Sequence, residues 1–567
     1  MKDVYVMKIG QKVFLGFVFF IFASNALAQN SIGHDHFVKN PILPGFNPDP
    51  NILRVHDDYY IITSSFEWFP GIPVYHSKNL ADWKLVDYVL KDERILNLSG
   101  TGNSRGIYAP QISYKDGLFF VVYTNVKTND WPYVDAMNFV VWSESVHGPW
   151  QGPVFLHAAG IDPSLFHDDD GRSWLLANEI DFRNNNNQSS IRGIVMQEFS
   201  TKEKKLTGSL KRIVEKSDIE GPHIYKHKGY YYLMVAGGGT SWEHNVSVAR
   251  SKILWGPYEW DEQNPVLSSS KRKDVRLQKA GHGSLVETAD GEWYMAHLAS
   301  RPVYKNNEFD REEGYAILGR EGCLQKMVWT ESGWLRNYTA SPFPEDSIPL
   351  KGVSGTHLDS GIYCDDFSDK ALDIGYRRPR KPIDTSLFSL KARNGFLRIY
   401  GGDSFRSFYD QNMIARPVIS LQSVAETCVE FDPAGFRQMA GLICYYDTRN
   451  FYYIRISRNE AKGKNINVII SDGEGWNTKE LLQNNIPVEG WDKIYLRGEL
   501  HGHSIRFYYS SDGKKWINAG DALDATKLSD DYNNKYGFTG TFWGICAQDM
   551  LYRTSYADFD YFKITSR

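Results

Sequence analysis

The sequence lacks any strong excess of one charge: its 567 residues carry a formal net charge of −4. Proteins that bind nucleic acid usually have a strongly basic face, so nothing here indicates nucleic acid as a partner. Cysteine is also scarce, and the five cysteines form no C-x-x-C pair and no zinc-like spacing. A chain of this size needs no disulfide framework. We therefore interpret the cysteines as buried free thiols, with one structural bridge as the alternative.

The apolar run near the N-terminus is too short for a comfortable membrane span. It covers residues 13–23, follows three lysines, and precedes Ala26 and Ala28, which fit a small-x-small cleavage site. We interpret residues 1–28 as a secretory signal peptide. This predicts export to the periplasm or the extracellular space, with no membrane span after cleavage.

Aromatic residues are abundant, at 14% of the chain, and they favour an all-β core. They fall in a motif that recurs five times, in which a turn-forming dipeptide precedes an apolar strand. The dipeptides are Asp57-Asp58, Asp116-Gly117, Asp170-Gly171, Lys228-Gly229 and Asp290-Gly291, at intervals of roughly 54 to 62 residues. Five repeats of strands and turns predict a five-bladed β-propeller over residues 40–340.

The repeat register predicts a cluster of side chains on the propeller axis. The residues nine positions before the second member of each dipeptide are Asp49, Tyr108, Asp162, Glu220 and His282. Equivalent positions lie on equivalent strands around one axis, so we expect these side chains to converge on the central channel. Three carboxyl groups that face each other repel without any packing benefit, which indicates a functional site.

Three converging carboxyl groups suit the cleavage of a glycosidic bond. That reaction uses one protonated carboxyl group for the leaving oxygen and a second carboxylate across the sugar ring. A third carboxylate can raise the pKa of the acid by repulsion. The spacing alone does not say which residue is the acid and which is the base.

Seven segments together resemble glycoside hydrolase family 43, most closely its β-xylosidase branch, and the resemblance covers nearly all of the mature chain. They are Asn47-Pro48-Asp49-Pro50, Ser65-Phe66-Glu67-Trp68-Phe69-Pro70-Gly71, Ala109-Pro110, Ile161-Asp162-Pro163-Ser164, Glu220-Gly221-Pro222-His223, Gly281-His282-Gly283 and Leu318-Gly319-Arg320-Glu321. The resemblance implies an inverting mechanism that needs no cofactor for its chemistry. It implies Asp49 as general base, Glu220 as general acid, and Asp162 as the residue that tunes and orients the acid.

The same resemblance implies further site residues. Arg320 is expected to contact the substrate near the base. His282 matches a channel histidine that in some members of the family binds a divalent cation, often calcium; a channel histidine without a metal is the alternative.

Several residues are candidates for the sugar-binding surface. Phe66 and Trp68 are expected in the sugar-binding wall, with strand packing as the alternative. Tyr108 stands where many members of the family have tryptophan, which leaves stacking on the sugar in place. Thr240, after the glycine run at 237–239, is expected to line the pocket.

The C-terminal part reads as a second all-β domain. Proline, serine and glycine at 341–360 predict a linker. Short alternating strands over residues 361–567 predict a β-sandwich, which resembles the concanavalin A-like domain of this branch. The resemblance implies that it lends an aromatic loop to the pocket, with candidates Phe538, Phe542 and Trp543; an independent binding module is the alternative.

These features predict an exo-acting, inverting hydrolase that releases β-D-xylose from xylo-oligosaccharides or xylan side chains. The first alternative is an α-L-arabinofuranosidase acting on arabinoxylan or arabinan. The remote alternative is a carbohydrate-binding protein without catalysis. In each case the expected partner is an oligosaccharide or polysaccharide, and the sequence carries no signal for an oligomeric state.

Overall fold

The computed structural model of the protein describes residues 37–130, 133–183, 190–305, 314–351, 361–473, 478–532 and 537–567. These residues fold into a five-bladed β-propeller and a β-sandwich, as predicted, within one compact unit. The expected signal peptide, residues 1–28, lies outside the described residues. Within the described ranges, no helix is long and apolar enough to cross a membrane.

Each propeller blade is an antiparallel sheet of four strands that pair in chain order, and blade 4 carries a short fifth strand. Blade 1 comprises Asn51–Val55, Asp58–Ile62, Gly71–Ser77 and Lys84–Leu90. Blade 2 comprises Gly106–Lys115, Leu118–Asp130, Tyr133–Ser143 and Gln151–His157. Blade 3 comprises Ser164–His167, Ser173–Ile180, Ile191–Ser200 and Lys205–Glu215. Blade 4 comprises Ile219–His227, Tyr230–Gly237, Asn245–Ser251, Glu259–Trp260 and Leu267–Ser268, and blade 5 comprises Gln278–Glu287, Trp293–Ser300, Glu321–Trp329 and Leu335–Asn337.

The first strand of each blade contacts the first strands of both neighbouring blades, so these five strands surround the axis. The ring closes between blades 5 and 1, where Leu43 and Gly322 exchange two backbone hydrogen bonds of 3.0 Å. A further pair, Phe37–Lys39 with Ser347–Pro349, joins the two ends of the propeller sequence. Because Ile348 is fully buried there, the first half of the segment predicted as a linker packs on the propeller.

The sandwich packs a nine-stranded sheet on a seven-stranded sheet. The nine-stranded sheet contains Gly361–Asp365, Phe388–Ser389, Leu397–Tyr400, Gln422–Glu430, Ile494–His501, Ser504–Ser510, Ile517–Asn518, Leu523–Asp524 and Tyr556–Ser566. The seven-stranded sheet contains Asn412–Pro417, Gln438–Tyr445, Asn450–Asn459, Gly463–Asp472, Thr478–Glu480, Ile486–Pro487 and Phe542–Asp549. A 3-10 helix covers Ala525–Lys527, and apolar side chains of both sheets share one core.

Short strands also form outside the blades and the two large sheets. Val303–Tyr304 pairs with Gly314–Tyr315, and Trp68–Phe69 pairs with Arg378–Pro379. The second pair joins the propeller directly to the sandwich. All five cysteines are free, and four of them are buried, whereas Cys364 is exposed.

Candidate active site

A cavity of about 520 Å³ opens at the end of the propeller where the innermost strands begin. All five side chains predicted from the repeat register line it. The full lining consists of Asp49, Phe66, Tyr108, Ala109, Ile161, Asp162, Ile191, Asp218, Glu220, Gly238, Gly239, Thr240, Ser241, His282, Arg320 and Phe538. The cavity therefore receives residues from the propeller blades and one side chain from the sandwich.

The backbone conformation at the cavity shows that the predicted repeat register is wrong by one residue in two blades. The left-handed residues that correspond around the axis are Asp49 (φ 53°), Ala109 (φ 32°), Asp162 (φ 58°), Gly221 (φ 56°) and His282 (φ 51°). In blades 2 and 4, therefore, the side chain that enters the cavity belongs to the preceding residue. Left-handed backbone at non-glycine residues is strained, and such strain is typical of functional sites.

The physical reason for the offset is the length of the first hairpin. Blades 1, 2 and 4 have two-residue turns, at 56–57, 116–117 and 228–229, whereas blades 3 and 5 have five-residue loops. The longer loops of blades 3 and 5 add one residue between the left-handed residue at the cavity and the glycine of the first hairpin. In blade 1 the turn is His56-Asp57, not Asp57-Asp58. The misplaced turn in blade 1 and the different turn lengths of the other blades change the count by one residue. A uniform count of nine therefore reached the five cavity side chains although the true register is not uniform.

Asp49 is held as a carboxylate. Its Oδ1 accepts a hydrogen bond of 2.8 Å from Arg320 Nη1, and its Oδ2 accepts one of 2.6 Å from the Ser64 hydroxyl. Burial raises the pKa of Asp49, but Arg320, then His282 and the Ser64 hydrogen bond, outweigh it, so the pKa lies below the usual range. Asp49 can therefore accept a proton near neutral pH.

Glu220 is held as a carboxylic acid. Burial, followed by the negative charge of Asp49, raises the pKa of Glu220 to about 7, against the lowering effect of Arg320. Two carboxyl groups in one cavity thus have pKa values that are driven in opposite directions. This is the arrangement that acid–base catalysis requires.

Asp162 is tied to the backbone beside Glu220. Its Oδ2 accepts a hydrogen bond of 3.0 Å from the Gly221 N–H. Burial, and then the charges of Glu220 and Asp49, raise its pKa well above the ordinary value. Glycine suits position 221 because a Cβ there would lie 3.0 Å from the His282 ring and because φ is left-handed. Through its own charge and its bond to the Gly221 N–H, Asp162 can affect both the protonation and the orientation of Glu220.

Three aromatic rings and Arg320 form one wall of the cavity. The Phe66 ring centroid lies 4.7 Å from that of Tyr108 and 5.8 Å from that of Phe538, and the last two are 5.9 Å apart. The Arg320 guanidinium lies over both Phe66, at 5.3 Å, and Phe538, at 5.5 Å. Its Nη2 also donates to the Phe538 carbonyl at 3.1 Å. We call Phe66, Tyr108 and Phe538 the aromatic wall.

Two predicted sugar-binding residues do not reach the cavity. Trp68 and Phe542 are both fully buried and stack on each other, with centroids 3.7 Å apart, where propeller meets sandwich. Phe542 begins a strand whose side chains alternate between two packed faces, so Trp543 points instead into the core between the two sheets. Of the three aromatic candidates in that loop, only Phe538 lines the cavity.

The structure adds lining residues whose place in the cavity the sequence did not predict. They are Ala109, Ile161, Ile191, Asp218 and Ser241, together with Gly238 and Gly239. Asp218 raises the pKa of Glu220 as a minor contributor after burial and Asp49. In the sequence, only its position two residues before Glu220 indicated that Asp218 could lie at the cavity. Thr240 also lines the cavity.

His282 lines the cavity, but the protein supplies few ligands for the expected cation. No group of three or more His, Cys, Asp or Glu residues that could hold a metal occurs in the part of the chain that the structure describes. Calcium takes six to eight oxygen ligands, which a single imidazole does not replace. The described residues therefore do not form a calcium site by themselves, and we derive no step through a metal.

Comparison with known proteins agrees with this geometry. "Glycosyl hydrolases family 43" matches residues 38–335. "Beta xylosidase C-terminal Concanavalin A-like domain" matches residues 364–565. The chain belongs to glycosyl hydrolase family 43. This enzyme is therefore a glycoside hydrolase, of a family whose members invert the configuration of the sugar.

Similar proteins of family 43 align with almost the whole length of this chain. It is 39% identical to "Beta-xylosidase" of Bacillus subtilis (strain 168), over 93% of this chain and 99% of that protein. It is 38% identical to "Xylosidase/arabinosidase 43B" of Humicola insolens, over 93% and 97% of the two chains. The crystal structure of xylan beta-1,4-xylosidase from Bacillus halodurans C-125 is similar with a TM-score of 0.88 and 42% identity, covering 93% of this chain and all of that one.

Proposed function

We propose that this enzyme is an exo-acting β-D-xylosidase that releases terminal xylose from xylo-oligosaccharides or from xylan side chains. The observation that carries the proposal is the pair of opposed carboxyl groups, Asp49 ionised by Arg320 and Glu220 protonated up to about pH 7. The names of the similar xylosidases support the choice of sugar.

In this mechanism Asp49 is the general base and Glu220 the general acid. Asp49 takes a proton from a water molecule as that water attacks the anomeric carbon. Glu220 gives its proton to the glycosidic oxygen as the carbon–oxygen bond breaks, and the product has the inverted configuration. The separation of the two carboxyl groups is predicted to be about 6.5–9.5 Å, which leaves room for the water. Neither step requires a cofactor.

Asp162 is proposed to tune and orient Glu220. Its hydrogen bond to the Gly221 N–H supports the orienting part, and the repulsion between the two carboxyl groups supports the tuning part. Arg320 and the aromatic wall are proposed to bind the terminal sugar. An exo mode is supported by Phe538, which the sandwich places on one side of the cavity.

An α-L-arabinofuranosidase remains the second candidate. It is supported by the printed name of the Humicola insolens relative, which combines both activities. The test is hydrolysis of 4-nitrophenyl β-D-xyloside and 4-nitrophenyl α-L-arabinofuranoside, followed by xylo-oligosaccharides and arabinoxylan. Asp49→Asn, which removes the proposed base needed for every substrate, serves as the control in every assay. Faster release from the xyloside supports the proposal, and activity on the arabinofuranoside alone replaces it with the alternative.

Two further proposals concern the surroundings of the enzyme. Export to the periplasm or the extracellular space is supported by the signal-peptide pattern at residues 1–28. A divalent cation near His282 would have to take most of its ligands from water. Cell fractionation tests the first proposal, and metal analysis of the purified enzyme and of His282→Ala tests the second.

A further inference from the structure

Ser104 lies in the loop between blades 1 and 2, is 4% exposed, and has a left-handed backbone with φ 53°. Each of its polar groups forms hydrogen bonds with other residues. Its N–H donates to Glu67 Oε2 at 3.1 Å. Its carbonyl accepts from the Tyr108 hydroxyl at 2.5 Å and from Arg105 Nη1 at 2.9 Å. Its hydroxyl oxygen accepts from the Phe538 N–H at 3.0 Å. Ser104 itself does not line the cavity.

Two of these partners are the outer members of the aromatic wall. Tyr108 comes from the propeller and Phe538 from the sandwich, and both rings pack against Phe66. Ser104 is thus hydrogen-bonded to both of these residues of the wall. The bond to Phe538 joins residues 434 positions apart. A shift of Ser104 would move both rings.

A third partner, Glu67, fixes the loop that carries Ser104. Glu67 is almost fully buried, and its Oε1 lies 4.0 Å from Nη2 of Arg380 in the sandwich. The Arg380 side chain also donates to the Thr101 carbonyl at 2.5 Å and to Asn103 Oδ1 at 2.9 Å. These contacts hold the loop between the propeller and the sandwich.

Residues 102–106 read Gly-Asn-Ser-Arg-Gly, the letter pattern of a serine nucleophile turn. That turn joins a strand to a helix and exposes the serine, whereas here Ser104 is buried and Gly106 begins a strand. Its hydroxyl is occupied as an acceptor. The motif has a different role in this chain.

We propose that Ser104 is a positioning residue that sets the distance between Tyr108 and Phe538 and so shapes the sugar-binding wall from both domains. The inference rests on the proposed function and deepens it, because it names what holds the substrate-facing rings in place. We expect the wall to contact the sugar away from the bond that breaks, and so to bind the ground state and the transition state alike. Losing its position should therefore raise KM and leave kcat nearly unchanged.

The experiment compares Ser104→Ala and Ser104→Gly with Ser457→Ala. Both variants at 104 remove the hydroxyl, and glycine also relieves the left-handed backbone. Ser457 is buried to a similar degree, 2% exposed, and binds the Gln438 carbonyl in the sandwich, far along the chain from the cavity residues. With 4-nitrophenyl β-D-xyloside, both variants at 104 should raise KM roughly three- to tenfold, the worth of about one hydrogen bond. Ser457→Ala should change melting temperature only.

A second readout does not depend on turnover. It is the xylose concentration that gives a half-maximal rise in melting temperature, which should increase by a similar factor in both variants at 104. An unchanged KM and xylose response in both variants overturns the inference. So does a wild-type KM in Ser104→Gly alone, because that variant also lacks the hydroxyl. A wild-type enzyme that binds xylose but hydrolyses neither pentoside rejects the proposed function instead, and the melting readout still decides the role of Ser104.

Discussion

Arg320 Nη1 lies 2.8 Å from Asp49 Oδ1, and both side chains are almost fully buried. A buried carboxylate without a cationic partner would be protonated near neutral pH. The guanidinium therefore decides the protonation state of the proposed base. The same side chain binds the Phe538 carbonyl, so it also joins the base to the sandwich.

Replacing Arg320 by Gln should move the acidic limb of the kcat/KM profile to higher pH by about 1 to 3 pH units, because the pKa of Asp49 loses its main lowering influence. At neutral pH the variant should lose activity on the order of 10²-fold. Arg320→Lys keeps a charge without the planar fork, so its limb should stay closer to wild type. An acidic limb that does not move in Arg320→Gln would show that another group holds Asp49 ionised.

Glu220→Gln should affect substrates according to their leaving groups. With xylobiose, whose leaving group needs a proton, turnover should fall by about 10²- to 10⁴-fold. With 2,4-dinitrophenyl β-D-xyloside, which departs without a proton, the loss should be below about tenfold. Steady-state kinetics on both substrates measures the ratio. Equal losses on the two would remove Glu220 from the role of acid.

Asp162→Asn should move the alkaline limb of the pH–rate profile to lower pH. The alkaline limb reports loss of the Glu220 proton. The charge of Glu220 raises the pKa of Asp162, and the same repulsion would act on Glu220, so Asp162→Asn should let Glu220 ionise more readily. Turnover should fall more than substrate affinity. If the limb stays in place and only KM changes, Asp162 is a substrate contact.

The buried pair Glu67 and Arg380 predicts a pH-dependent stability. Burial raises the pKa of Glu67 to about 7, although Arg380 lowers it, from 4.5 in the unfolded chain. The folded state therefore holds the proton over this window, and stability is lost as pH rises through it. Glu67→Gln carries no such ionisable group. Relative to wild type, its free energy of unfolding should therefore rise by on the order of 3 kcal/mol between pH 4 and pH 8. Parallel pH curves in denaturant unfolding would contradict the burial of an ionisable Glu67.

The architecture was predictable because each hairpin of the propeller repeats a turn signal before an aromatic strand. Turn signals act locally, so the five blades and the strands of the sandwich could be read from short segments. The convergence of Asp49, Asp162 and Glu220 followed from that repeat. Their uniform register did not, because the five-residue loops of blades 3 and 5 shift the count by one residue.

What the sequence could not give was the direction of each aromatic side chain. Trp68 and Phe66 are two residues apart, yet only Phe66 lines the cavity, because Trp68 packs on Phe542 of the other domain. Likewise Phe538 enters the cavity, while Phe542 is fully buried. Such contacts join residues more than 400 positions apart and depend on how the two domains meet. The role of Ser104 is hidden for the same reason.

The stereochemistry of the first-formed product tests the central claim most directly. Proton NMR of 4-nitrophenyl β-D-xyloside during hydrolysis separates the two anomers of xylose before they equilibrate. A base at Asp49 and an acid at Glu220 that act on opposite sides of the ring predict α-xylose as the first product. The Asp49→Asn control, which lacks the base, should release xylose far more slowly. β-Xylose as the first product would mean a covalent intermediate and a nucleophile at Asp49, and it would contradict the mechanism.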